Sequence, residues 1–427
     1  MTNLRPSLRL SVLLSLLLAI LTAAAPAFAQ YLLVPMDLSQ TNHLRAYGQA
    51  YHTLQAGEKV SWLLNYRGGS FLMKDSERAR LDARLLDVRF ETIGESDLAA
   101  IHQTIAQENM EEVLLEKPPR IAVYSPSYAQ PWDDAVTLAL TYAEIPYDVV
   151  FDPEVLSGRL QEYDWLHLHH EDFTGQYGKF YGVFHLEPWY IQQKQYNEEL
   201  AKALGFDTVW QLKQAVAATI LQYVEQGGFL FAMCSATDTI DIALAYLGVD
   251  IVPSPFDGDG LDADREARRD DDRTFAFEGF TLVTNPLIYE FSNIDTSDYA
   301  QLRGPVGDYF TLFSFAAKYD PVPTMLTQCH VNVVNGFLGQ TTGFHQRFLK
   351  KHVIVLAQVE GTDEVKYLHG HRGLGTFTFL GGHDPEDYQH RVGDPPTDLD
   401  LYPTSPGYRL ILNNVLFPAA RKKPQKT

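Results

Sequence analysis

GGFLFAMCSATDTIDIAL, residues 227–244, is the stretch whose reading decides the fold of this 427-residue chain. Two glycines open it, a short run dominated by apolar residues follows, then Cys234, then a segment with helical spacing. A strand passing into a helix through one tight turn is the repeating joint of a parallel α/β sheet. In such sheets the carboxyl ends of the strands carry the ligand crevice. A thiol at that joint sits at a helix N-terminus, whose dipole favours the reactive thiolate. The backbone N–H groups of the first turn are there to hold a developing oxyanion. The competing reading is a small side chain buried in the core, since cysteine is among the most often buried residue types.

The same layout recurs on either side. RIAVYSPS (120–127) reads as a strand, DDAVTLALTYAEI as a helix, and PYDVVFD (146–152) and QEYDWLHLHHED (161–172) as further strands. WQLKQAVAATILQYVEQ (210–226) has apolar residues at three- and four-residue spacing and reads as a helix. HVIVLAQVEG (352–361) and LGTFTFLGGHD (374–384) read as late strands, and YRLILNNVLFP as the closing helix. An aromatic-rich insertion spans 173–209, and a Gly/Pro/Asp-rich loop spans 253–274. Upstream, YLLVPMD (31–37), a helical stretch ending near Gly57, and KVSWLLNY (59–66) read as a β-α-β unit. KPPR (117–120) separates the two parts, because consecutive prolines stop helix and sheet alike. The expected fold class is therefore α/β. It comprises a parallel three-layer sheet over 118–427, with the two insertions, preceded by an N-terminal β-α-β unit over 30–117.

Residues 1–29 read as a secretory signal peptide, the other reading being an uncleaved anchor. Arg5 and Arg9 precede an apolar run that ends in AFA at 27–29. The rest of the chain is expected outside the cytoplasm, periplasmic or extracellular, with no further membrane span. A net charge of −20 argues against nucleic acid and anionic membrane surfaces as partners. Two cysteines, Cys234 and Cys329, are too few for a disulfide framework; a bond between them would end any nucleophilic role for Cys234.

Further segments carry chemistry. GGHDPE (381–386) follows a late strand, so His383 is the natural base for Cys234, with Glu386 or Asp384 to hold its imidazole. Read without a partner, it is a polar loop closed by Gly and Pro. In HLHHED (167–172), His169, His170, Glu171 and Asp172 fall at a strand's carboxyl end. They suit substrate binding. As an alternative, His169, His170 and Asp172 offer a divalent-metal set, although no H-E-x-x-H spacing accompanies them. YLHGHRGLG (367–375) supplies Arg372, which could pair with a substrate carboxylate, or is an exposed hairpin-like turn. PFDGDGLDADRE (255–266) lacks the leading carboxylate of a calcium loop and reads as a solvated acidic loop. Arg67-Gly68-Gly69-Ser70 and the Asp37 to His43 stretch could face a crevice, but neither is a glycine-rich phosphate loop.

Strand-Cys-helix followed by a strand ending in Gly-His-x-Pro-Glu resembles the class I glutamine amidotransferase-like superfamily over roughly 118–417. The superfamily also contains trehalose-utilisation-type proteins without a catalytic cysteine. The resemblance implies Cys234 as nucleophile, His383 as base and Glu386 as orienting acid, with the end of HLHHED beside the oxyanion. Two departures stand out: Ala-x-Cys-x-Ala replaces Gly-x-Cys-x-Gly around the elbow, and His383-Asp384-Pro385-Glu386 is one residue longer than His-Pro-Glu. LVPMDLSQTNHLRAYG, LLNYRGGSF, HLHHEDFTGQYGKFYG and FLFAMCSATDT also resemble exported bacterial proteins labelled asparagine synthetase B. The chain has neither the N-terminal catalytic cysteine nor the Ser-Gly-Gly-x-Asp-Ser loop of such a synthetase. The expected function is an exported Cys-His amidase or hydrolase that needs no cofactor. The alternatives are a non-catalytic binder of small molecules or carbohydrate, its aromatic insertion stacking on the ligand, and a metal-dependent hydrolase.

Overall fold

A computed structural model describes residues 30–421; the segment 1–29, read from the sequence as a signal peptide, lies outside them. The N-terminal part holds strands β1 (Tyr31–Val34), β2 (Val60–Leu64), β3 (Ser70–Lys74), β4 (Glu91–Ile93) and β5 (Glu111–Leu115). They form one antiparallel sheet in the order β4-β1-β3-β2-β5. This corrects the expected β-α-β unit. β1 and β2 do run in the same direction, but β3 lies between them, antiparallel to both. The cause is the turn after β2. Asn65, Arg67, Gly68 and Gly69 all take positive φ, which reverses the chain within a few residues and returns SFLMK as a strand.

The second sheet contains β6 (Ile121–Tyr124), β7 (Asp148–Val150), β8 (Trp165–Leu168), β9 (Phe229–Met233), β10 (Tyr309–Leu312), β11 (Val333–Asn335), β12 (Phe344–His345), β13 (Ile354–Gln358), β14 (Glu364–Arg372) and β15 (Gly375–Leu380). Its order is β11-β10-β13-β14-β15-β9-β8-β6-β7, with β12 on β14. From β15 to β7 every pair is parallel; from β15 outward through β14, β13 and β10 to β11 every pair is antiparallel. The fold is thus α/β with a mixed sheet, where a parallel one was expected. The switch is the hairpin that joins β14 to β15, whose two-residue turn contains Gly373 at φ +60°.

Alternation along the strands sends apolar side chains to both faces. Trp165, Phe229, Phe231 and Met233 join one core, under helices Ala135–Tyr142 and Pro406–Leu416; Leu166, Leu168, Leu230 and Ala232 join the other, under Val209–Glu225 and Ala236–Ala245. The first core continues without a break into the N-terminal sheet through helix His43–Gln55. Burial of each large side chain contributes about 1.5–3 kcal/mol. Helix Ala236–Ala245 is buried along its whole length, polar positions included. Its Asp241 accepts the N–H groups of Phe275, Ala276 and Phe277, which ties the 274–278 segment to it. No helix among the described residues is long and apolar enough to cross a membrane.

Candidate active site

β9 ends at Met233 and the next helix begins at Ala236, so Cys234 makes the turn itself, at φ +50°. A non-glycine residue in this region costs about 1–2 kcal/mol and persists only where the surroundings impose it. Here the imposing contacts are visible. The Ala236 N–H donates to the His169 carbonyl (3.0 Å), the Thr237 hydroxyl to the Cys234 carbonyl (2.6 Å), and the Thr239 hydroxyl to the Glu171 carbonyl (3.0 Å). The carboxyl ends of β8 and β9 are thereby stitched together. The Cys234 sulfur accepts the Gln340 N–H at 3.3 Å. Gln340 is fixed in turn, its amide donating to the carbonyls of Gly178 (2.7 Å) and Tyr289 (2.9 Å).

Cys234 opens onto a cavity whose walls include Trp132, His170, Tyr289, Gln340 and His383. Cys234 and Cys329 are both free thiols. β15 lies beside β9 with Leu380 opposite Met233, so the residues after each strand end at the same edge of the sheet. Gly381 and Gly382 then carry the chain to His383. Gly382 has φ +94°, and a Cβ there would run into the Phe337 ring. The His383 N–H donates to the Leu338 carbonyl (2.8 Å) and its ring stacks on His390 with centroids 4.5 Å apart.

The acid facing His383 is not the expected one. Asp384 accepts the N–H groups of Glu386 and Asp387 and the Tyr408 hydroxyl, so it shapes the turn. Burial raises the Glu386 carboxyl, with a hydrogen bond from Ser405 opposing. The carboxylate within 4 Å of His383 is Asp133, whose Oδ1 lies 3.9 Å from His383 Nε2 and 3.0 Å from His390 Nε2. Burial works to raise the Asp133 carboxyl, but the two imidazoles outweigh it and hold it below the usual carboxylate range. Burial lowers His390 while Asp133 and Asp387 raise it, and the carboxylates win.

The HLHHED residues part company. His169 is fully buried, its Nδ1 3.3 Å from Asp134 Oδ1. His170 borders the cavity, edge-on to Trp132 and with its ring 4.6 Å from that of His169; burial and the neighbouring His169 and His383 hold it well below the ordinary histidine range. Glu171 accepts the His169 N–H (2.8 Å), and burial pushes its carboxyl up to about 8. Asp172 is engaged by Thr174 and the Gly178 N–H, where it orders the start of the insertion. Arg372 pairs with Glu225 at the amino end of the parallel strands, the opposite edge from Cys234. The site thus brings together Cys234, His169, His170 and His383, and leaves Arg372 apart.

Asp133, Asp134, His390 and Gln340 escaped the sequence reading. Asp134 had a signal, since its side chain caps the following helix through the N–H groups of Val136 and Thr137. Three groups of side chains place potential metal-ligand atoms close together here: His169, His170 and His383; Asp133, His383 and His390; and Asp134, His167 and His169.

No family model matches the chain, and no curated protein matches it. Among solved structures, two cytoplasmic proteins of Salmonella typhimurium, STM3548 and STM1381, each align with 71% of this chain and 100% of their own. Their identities are 10% and 12%, and both TM-scores are 0.36. Gan42B, a GH42 beta-galactosidase, aligns over 63% of this chain and 28% of its own, with 12% identity and a TM-score of 0.28. Overlaps this loose carry neither a fold nor an activity to the chain.

Proposed function

We propose that this chain is a cysteine-dependent amidase or hydrolase of small molecules or carbohydrate derivatives. In this reading it is built on a class I glutamine amidotransferase-like domain and exported by its N-terminal segment. The Cys234 sulfur bonds to the substrate carbonyl carbon while His383 takes the thiol proton and returns it to the departing amine or alcohol. Water then releases the acid and restores the thiol. Asp133, rather than Glu386, orients the His383 ring. Of the donors available for an oxyanion, the Ala236 N–H is given to His169 and the His169 N–H to Glu171. The Gln340 N–H, already on the sulfur, is the one beside the reacting atom. The reaction calls on no cofactor.

The observation that carries this reading is a cysteine held at positive φ on a strand-to-helix elbow, at a cavity that it shares with His383. Iodoacetamide labelling at neutral pH tests it. Cys234 should react at least tenfold faster than Cys329, and His383→Ala should remove the difference. Slow labelling indifferent to His383 rejects the reading.

A second reading is a binding protein without catalysis. Trp132 and Phe180 stack 5.0 Å apart at the cavity, with Trp189 edge-on to both, and such a wall suits the face of a sugar. A Cys234→Ala protein that keeps full function would favour it.

A further inference from the structure

Five imidazoles form a chain behind and beside the cavity. Ring centroids are 5.6 Å apart for His167 and His169, 4.6 Å for His169 and His170, 4.5 Å for His169 and His383, 5.4 Å for His170 and His383, and 4.5 Å for His383 and His390. Burying polar rings in such number is costly unless their nitrogens find partners. The two ends lie against carboxylates: His167 and His169 against Asp134, and His390 between Asp133 and Asp387. Between them, His169 Nε2 and His170 Nδ1 are buried without a hydrogen-bond partner, and so is His383 Nε2, whose nearest carboxylate oxygen, on Asp133, is 3.9 Å away. One ring nitrogen from each of these three residues lies within 4.8 Å of the other two.

An ion bonded to imidazole nitrogens at about 2.0–2.1 Å with tetrahedral angles holds those nitrogens roughly 3.3 Å apart, so small ring rotations close the set. The outer shell is also in place. Asp134 Oδ1, at 3.3 Å from His169 Nδ1, provides the carboxylate-histidine pairing that fixes a ligand's tautomer and orientation. Asp134 is itself immobilised as the cap of helix Ala135–Tyr142. His170 and His383 border the cavity, which leaves a fourth position facing it. An all-imidazole set suits zinc, copper or nickel, and does not suit calcium or magnesium, which take oxygen ligands.

We propose that His169, His170 and His383 form a binding site for a zinc-class divalent cation, its open position facing the Cys234 cavity. The site stands on the imidazole geometry and not on the thiol chemistry proposed above, although the two share His383. The experiment loads untagged, chelator-treated protein with zinc, desalts it and measures bound metal by mass spectrometry. About one zinc per chain is expected. His170→Ala and His383→Ala should each lower it at least fivefold, while His390→Ala, outside the set but against the same Asp133, should keep it. Copper loaded into the unaltered protein supplies a second readout that needs no variant to fold: its paramagnetic resonance spectrum should carry hyperfine structure from three nitrogens. Less than a tenth of an equivalent in the unaltered protein overturns the proposal. So does full zinc in a folded His170→Ala protein, a loss confined to His390→Ala, or a copper spectrum without nitrogen coupling.

Discussion

Replacing Cys234 by alanine and by glycine separates strain from burial at the elbow. At an ordinary buried position the step from alanine to glycine loses about 0.8 kcal/mol of methyl burial and about 0.5–1 kcal/mol of backbone entropy, a total near 1.5 kcal/mol. At Cys234 the residue is 3% exposed, so the burial term applies in full. The backbone, however, sits at φ +50°, where alanine carries a penalty of about 1–2 kcal/mol that glycine escapes. The two effects cancel. The expected result is that Cys234→Gly and Cys234→Ala unfold at urea midpoints equivalent to within about 0.5 kcal/mol, with equal slopes. A glycine variant weaker than the alanine variant by 1.5 kcal/mol or more would mean that the elbow is relaxed. The observation behind the nucleophile reading would then be lost.

Other perturbations probe the surroundings. Asp133→Asn should slow iodoacetamide labelling of Cys234 at least fivefold while Glu386→Gln leaves it unchanged; the reverse order would restore Glu386 as the orienting acid. Lys366 donates to the carbonyls of Phe337 (2.6 Å) and Thr342 (2.7 Å) and so braces the loop that carries Gln340. Lys366→Met strands both carbonyls and should cost about 2 kcal/mol by denaturant unfolding, and an unchanged midpoint counts against that role. Burial pushes the Asp238 carboxyl up to about 7, above its value in the unfolded chain. The folded state therefore holds this proton more tightly, and the group's contribution to stability is full below about pH 4 and lost as pH rises through 7. Asp238→Asn keeps an acceptor for Thr341 and turns its amide N–H to the Ser292 hydroxyl, and should flatten stability between pH 4 and 8; an unaltered slope refutes the assignment. If the metal site and the thiol reaction both hold, an equivalent of zinc slows Cys234 labelling and a chelator restores it, because a ligating His383 has no proton to move.

The edge of the sheet that carries the site was legible because parallel strands align their carboxyl ends. FLFAM, WLHL and GTFTFL each read as strands, so Cys234, His169, His170 and His383 had to emerge at one edge, and they do. Strand direction was not legible where the chain turns back sharply. The alternation of SFLMK is the same whichever way it runs, and although Gly68 and Gly69 mark a turn, the reversal also needs positive φ at Asn65 and Arg67, residue types that do not announce it. In YLHGHRGLG a hairpin-like turn is one of two readings, but the sequence does not show that the strand before it, β14, pairs antiparallel and turns half of the second sheet the same way.

The acids were harder still, for a physical reason. A carboxylate that caps a helix gives a local signal, and Asp134 satisfies that signal completely through Val136 and Thr137. Nothing in the local sequence shows that the same side chain also meets His167 and His169 from another strand. Glu386 had the opposite character. Its spacing from His383 invited a pairing, but the inserted Asp384 takes over the turn by accepting two N–H groups and the Tyr408 hydroxyl. His383 is left to the acid that packing supplies, Asp133. Spacing along the chain can therefore nominate a base, whereas the group that orients it is decided by which loop the sheet edge brings alongside. That makes the comparison of Asp133→Asn with Glu386→Gln the sharper test of the site than any substitution of His383, which both the thiol reading and the metal reading require.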